Sequence, residues 1–228
     1  MLGISAIPAL DVKDMKNKKY YNQQATNKLY MLCSGFAIYE FAKKQENGEY
    51  LLLKNGLNNE PVFIKESDTI FSIAKLLIDQ GADLRNSSCL IKLVSRYETE
   101  AAKLLIENKV DVNFQDMTVT SLAVASNNGD VEMVKFLLEH KANVNLQNGG
   151  GCTPLYFATK ASKTEVIKIL LEYKADINVS GKFDKNPLDI TNEVKDRKVV
   201  CLFNQFLSNQ GETNQSQMPL NGNMVDED

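Results

Sequence analysis

A chain of 228 residues, 43% hydrophobic and 24% charged, is long enough to bury a substantial core and is neither disordered nor fibrous in composition. Its net charge of -3 gives no electrostatic case for nucleic acid, and no apolar run approaches the roughly 18 residues that cross a membrane. One histidine and four scattered cysteines leave little material for acid–base, thiol or metal chemistry.

Residues 1–21, with Lys13, Lys16, Lys18 and Lys19 among Asp and Asn, are expected to be a loosely ordered N-terminus. Met1 to Leu10 has no basic stretch and runs straight into Asp11, so no secretory signal is expected. Residues 22–57 read as a helical cap or degenerate repeat. In it the aromatic-rich stretch from Asn27 to Lys44 is taken as a helix, and Leu51 to Asn58 as the end of one repeat. A small independent helical segment is the alternative there.

From residue 58 to 207 one pattern recurs. Lys75-Leu76-Leu77-Ile78, Lys103-Leu104-Leu105-Ile106, Lys135-Phe136-Leu137-Leu138 and Lys168-Ile169-Leu170-Leu171 begin 28, 32 and 33 residues apart. Fifteen residues before each lysine a second pattern opens: Glu60-Pro61-Val62, Ser88-Cys89-Leu90, Thr120-Ser121-Leu122 and Thr153-Pro154-Leu155. A fifth copy starts at Asn186-Pro187-Leu188, with Cys201-Leu202-Phe203 in place of the lysine segment. A period near 33 predicts stacked helix pairs, each too small to bury its own apolar stripe. In the Thr153 copy the hydroxyl caps a helix with Pro154 in its first turn, ending near Ala161; a second helix runs from about Thr164 to Tyr173. Residues 208–228, rich in Asn, Gln, Ser and acid and lacking Lys and Arg, are expected to be a disordered acidic tail.

These motifs resemble the ankyrin repeat, most specifically between Asp116 and Asn178. The resemblance implies an all-α solenoid of about five repeats with projecting hairpin loops and a degenerate N-terminal helical cap. It also implies glycine where each second helix ends, in a left-handed backbone. Gly81 fits, whereas Lys109, Lys141 and Lys174 take that place at a cost of roughly 1 kcal/mol each. The short step from Lys75 to Ser88 predicts a truncated hairpin between the first two clear copies.

No catalytic, cofactor or metal site is expected. His140 falls at a helix end, where it complements the dipole. Cys33, Cys89, Cys152 and Cys201 are too far apart in sequence for close-spaced zinc pairs, and separation of distant repeats argues against disulfides; Cys89 and Cys201 read as small core residues, Cys152 as a candidate contact. Gly149-Gly150-Gly151 lacks a phosphate-loop frame and reads as a flexible or close-approaching loop.

The resemblance implies a non-enzymatic module that binds a protein partner on the concave face of hairpins and first helices. Carried over, the family's variable positions pick out Met117, Thr118, Val119, Asn127 and Asn128, then Gly149, Gly150, Cys152, Lys160 and Ala161, and then Lys182, Phe183 and Lys185, flanked by His140 and Tyr173. No cofactor, small-molecule substrate, nucleic acid or membrane insertion is implied. The expected role is adaptor, tether or inhibitor in the cytoplasm. The abundance of Lys, Asn and Ile adds the option of a host-directed effector of an intracellular bacterium. The competing class is an enzyme or enzyme subunit whose repeats target an activity held in residues 1–57 or supplied by a partner.

Overall fold

Helical periodicity in the sequence becomes ten helices among the described residues of the computed structural model, which are 12–35, 42–47, 49–53, 61–65, 68–84, 88–116, 118–181 and 185–209. The chain divides into two units, Met1–Asp111 and Val112–Asp228.

In the first unit, α1 (Val12–Cys33) buries Ala25, Leu29, Leu32 and Cys33, one face of a helix at 3.6-residue spacing. After α1 come three short strands, β1 (Lys43–Lys44), β2 (Tyr50–Leu53) and β3 (Val62–Ile64), in an antiparallel sheet of order β1-β2-β3. Lys43 faces Leu51, Leu51 faces Phe63, and an irregularity between Leu51 and Leu53 shifts the register. Leu52, Leu53 and Ile64 are buried, and β2 lies against α1. Then follow α2 (Ile70–Asp79), α3 (Ser88–Ser95) and α4 (Thr99–Glu107). Helix α1 packs on both α2 and α3, and α4 packs on the same two helices. Thr69 caps α2, its Oγ1 accepting from the Ser72 N–H at 3.2 Å.

Here the structure corrects the sequence reading. Residues 22–57 are not a purely helical cap, because the helix stops at Cys33 and Lys43–Lys44 and Tyr50–Leu53 are strands. Pro61-Val62 opens no first helix, since Val62 begins β3. Residues 12–21 belong to α1 rather than to a loose N-terminus, while 1–11 lie outside the described residues. The truncated hairpin falls largely on residues 85–87, also outside them.

In the second unit the expected pairs form: α5 (Ser121–Asn128) with α6 (Val131–Glu139), α7 (Pro154–Lys160) with α8 (Thr164–Glu172), and α9 (Pro187–Val194) with α10 (Arg197–Asn209). First helices stack α5 on α7 on α9, and second helices α6 on α8 on α10. Caps start the helices where the sequence placed them. Thr120 and Thr153 accept from the N–H groups of Ala123 and Tyr156 at 3.1 and 3.3 Å, and Asn186 forms a reciprocal capping box with Asp189. Leu137, Leu155, Ile167, Leu170 and Phe203 are completely or almost completely buried. Ser208 and Asn209 belong to α10, so the tail begins no earlier than residue 210, beyond which the chain lies outside the described residues.

Two left-handed residues punctuate each of the pairs α3–α4, α5–α6 and α7–α8, and one follows α9. Tyr97, Gly129, Ser162 and Lys195 follow first helices, and Lys109, Lys141 and Lys174 follow second helices, with φ between 54° and 78°. The three lysines therefore accept the strained geometry foreseen for them. Twelve residues separate Tyr97 from Lys109, Gly129 from Lys141 and Ser162 from Lys174. Gly35 and Gly81 are left-handed as well, at φ 85° and 80°, one on each side of the sheet in the chain.

The cysteines also depart from expectation. Cys201 is exposed rather than a core residue. Packing of α1 on α3 makes neighbours of the buried Cys33 and Cys89, although 56 positions separate them in the sequence.

Candidate interaction surface

The candidate residues of the second unit fall at three places. Thr118, Val119, Gly149, Gly150 and Cys152 belong to the loops that precede α5 and α7; Asn127, Asn128, Lys160 and Ala161 end those helices; His140 and Tyr173 are the C-caps of α6 and α8. An eight-residue helix is about 12 Å long, so loops and first-helix ends lie at opposite ends of α5. Met117, Lys182 and Phe183 lie outside the described residues.

The loops are held by side chains as well as by backbone pairing, with Gln115 and Thr120 forming an antiparallel bridge and the Asn148 N–H donating to the Cys152 carbonyl at 3.0 Å. Asp116 Oδ1 accepts from the Thr118 N–H, the Thr118 hydroxyl and the Val119 N–H at 2.8, 2.8 and 2.9 Å, fixing the turn ahead of α5. Asn148 Oδ1 accepts from the N–H groups of Gly150 and Cys152 at 3.0 and 2.8 Å, while its Nδ2 reaches back to the Thr118 carbonyl at 2.5 Å. Gln147 Nε2 donates to the Gly151 and Ser180 carbonyls at 2.8 and 3.2 Å, joining that loop to the next. Gly151 supplies the left-handed turn at φ 76°. The triple-glycine loop is thus an ordered turn in which Gly149 is exposed and Gly150 half-buried.

A second ladder runs beneath the loops. Asn113 Oδ1 accepts the Asn143 N–H at 2.7 Å and its Nδ2 donates to the Lys141 carbonyl at 3.2 Å. One repeat on, Asn145 Oδ1 accepts the Asp176 N–H at 2.8 Å and its Nδ2 donates to the Lys174 carbonyl at 3.4 Å. Each asparagine satisfies backbone groups at the left-handed helix exit of the following pair.

Individual candidates have distinct surroundings. His140 Nδ1 is 2.8 Å from the Phe136 carbonyl, and its ring lies 4.2 Å from that of Phe136, at an exposed helix end. Tyr173 is 42% exposed, a large apolar ring in water. Asn127 and Lys160 are exposed, whereas Val119, Asn128 and Ala161 are half-buried. Cys152 is half-buried: its Sγ packs under the next loop, where a Cβ on Gly181 would come within 2.9 Å of it. Lys185 pairs with Glu193 of α9, a bond that raises its pKa, so its charge is compensated locally. Burial raises the Tyr156 phenol, and the neighbouring Cys152 and Glu193 add to this.

The sequence reading missed exposed aromatics of the first unit: Tyr97, at 61% exposure the most open of them, with Tyr30, Phe63 and Phe71. Tyr97 was detectable from repeat register, since it occupies the left-handed turn after a first helix. Among the described residues, no group of three or more His, Cys, Asp or Glu is placed to hold a metal ion, and no helix is long and apolar enough to cross a membrane.

Helix pairs stacked in two rows, linked by short loops that are tied to their neighbours by asparagine side chains, define a stacked-repeat protein. A family model of ankyrin repeats in three copies matches residues 63–148, 90–181 and 122–202, and the chain belongs to the ankyrin-repeat family. Ankyrin repeats are protein-interaction modules. Among curated proteins, none matches the chain.

Proposed function

We propose that this chain captures a protein partner on the face formed by the loops and first helices of its second unit, and acts by occupying, tethering or blocking that partner without chemistry of its own. The observation that carries this is the fixed loop geometry. Asp116 holds the exposed Thr118, and Asn148 fixes the following turn through the Gly150 and Cys152 N–H groups, so binding orders little further backbone. Tyr173, Asn127 and Lys160 supply an exposed ring, an amide and a cation near that face.

The repeats number five in this reading. The first is α1 with α2, interrupted by β1–β3; α3 with α4 and the three pairs of the second unit follow. Support comes from α1, which packs on α2 and α3 as α5 packs on α6 and α7, and from Gly35 and Gly81 at the two left-handed positions. Cytoplasmic action fits the free thiols, with delivery to a host cell as the alternative setting.

The test is affinity capture from lysate with the wild type, Asn127→Ala/Lys160→Ala and Tyr173→Ala, each shown folded by circular dichroism. A protein retained by the wild type and lost by either variant supports the face. Equal retention by all three moves the partner site off it.

A further inference from the structure

We propose that Cys33 and Cys89 form a peroxide-responsive dithiol, in which a small oxidant enters the pocket beside α1 and closes a reversible disulfide between α1 and α3. The argument begins with access. A pocket of about 280 Å³ opens in the first unit, lined by Thr26, Asn27, Tyr30, Met31 and Asp83, with Cys89 among its walls. Cys33, completely buried at the end of α1, neighbours Cys89 where α1 packs on α3. One sulfur of the pair therefore borders the pocket and the other has the first as its neighbour.

The charges around the pair favour an anion at Cys89. That residue lies in the first turn of α3, where the helix dipole stabilises negative charge. Lys92, one turn further along, stands 3.9 Å from the centre of the Tyr30 ring and donates to Ser34 Oγ at 2.7 Å. Arg96 Nη1 donates to the Leu32 carbonyl at 3.2 Å, so both cations are gathered at the C-terminal end of α1. The neighbouring Cys33 lowers the Cys89 pKa, with Lys92 helping, and Cys89 together with burial pushes Cys33 up. Because Cys89 borders the pocket at the start of α3 and Cys33 does not, Cys89 is the attacking thiolate and Cys33 the resolving thiol.

The chemistry balances with hydrogen peroxide as oxidant. Cys89 thiolate attacks one peroxide oxygen, the O–O bond breaks, and the departing hydroxide takes a proton to become water, leaving a sulfenic acid on Cys89. Cys33 sulfur then attacks Cys89 sulfur, the S–O bond breaks, and hydroxide leaves with the Cys33 proton as a second water. Two thiols lose two electrons and one peroxide is reduced to two waters. The two sulfurs must close to about 2.05 Å, which asks for side-chain rotation and a small helix shift. The bond would enclose β1–β3 and α2 in one covalent loop, restricting the unfolded chain.

The test uses the full-length chain. It is titrated with hydrogen peroxide at neutral pH, its remaining thiols are blocked with a maleimide, and the products are mapped by peptide mass spectrometry. The expected product joins the Cys33 and Cys89 peptides with the loss of two hydrogens, appears at lower peroxide than modifies the exposed Cys201, and reverts with dithiothreitol. The urea midpoint of the first unit should rise by about 1–2 M on oxidation. In Cys33→Ser a sulfenic acid should be trapped by dimedone at Cys89, and in Cys89→Ser position 33 should stay unmodified. Should either variant fail to fold, the wild-type map and midpoint decide alone. Direct passage of Cys89 to sulfinic acid, cross-links running only through Cys152 or Cys201, or a cross-link that leaves the midpoint unmoved would each overturn the proposal.

Discussion

Leu137→Ala probes the stacking of the second unit at its centre. Leu137 is completely buried on α6, which packs on both α5 and α8, so its side chain serves contacts within and between helix pairs. Three carbons are removed, worth about 2.4 kcal/mol of transfer free energy at about 0.8 per carbon. Because Met133, Val134 and Leu138 on the same helix are buried as well, the void has little freedom to collapse, and the cavity adds up to about 2 kcal/mol. The expected loss is about 3–4 kcal/mol, or about 2 M in urea midpoint at a slope near 1.5–2 kcal/mol per molar. Urea unfolding followed by circular dichroism reads the midpoint. Hydrogen exchange should show protection lost in α5, α7 and α8 as well as in α6, since each pair depends on its neighbours. A midpoint unchanged from the wild type, or loss of protection confined to α6, would refute the stacked arrangement argued for these helices.

Two further substitutions exploit the repeat register. Ser121 Oγ is buried and finds no hydrogen-bond partner among the described residues, at the helix position that Pro154 and Pro187 occupy in the next two pairs. Thr120 ahead of it is extended at φ -111° and ψ 157°, as a residue before proline prefers, so Ser121→Pro should stabilise by about 1 kcal/mol in a urea melt. A loss of stability there would mean that the hydroxyl has a role the fold does not reveal. Lys141→Gly should be neutral to stabilising by up to about 1 kcal/mol, because relief at φ 68° offsets the added chain entropy and the lost charge at the helix exit. Lys135→Gly, in the interior of α6, should instead cost about 1 kcal/mol, and the same sign for both in one melt experiment would contradict the left-handed assignment.

The first unit shows where sequence reading failed and why. Counting back fifteen residues from Lys75 reached Glu60-Pro61-Val62, and that arithmetic holds only if the repeat is uninterrupted. A sheet intervenes between α1 and α2, so in the five-repeat reading proposed above the matching first helix is α1, some 30 residues further upstream. Signals for both were present. Asn47-Gly48 is a favoured hairpin dipeptide and stands between β1 and β2. Thr26 and Gly35 stand nine residues apart, as Thr120 and Gly129 do, and both glycines are left-handed.

By itself the sequence determined the helix pairs of residues 120–203, the caps at Thr120, Thr153 and Asn186, and the left-handed lysines. These follow from residues within one turn or one repeat of each other, and such short-range physics is written locally. Tertiary structure alone decided that α1 packs against α2 and α3, that Cys33 meets Cys89, that Lys185 is matched by Glu193, and that Cys152 is covered beside Gly181. Those contacts join residues through space by choices of packing and rotamer, which no period in the chain encodes.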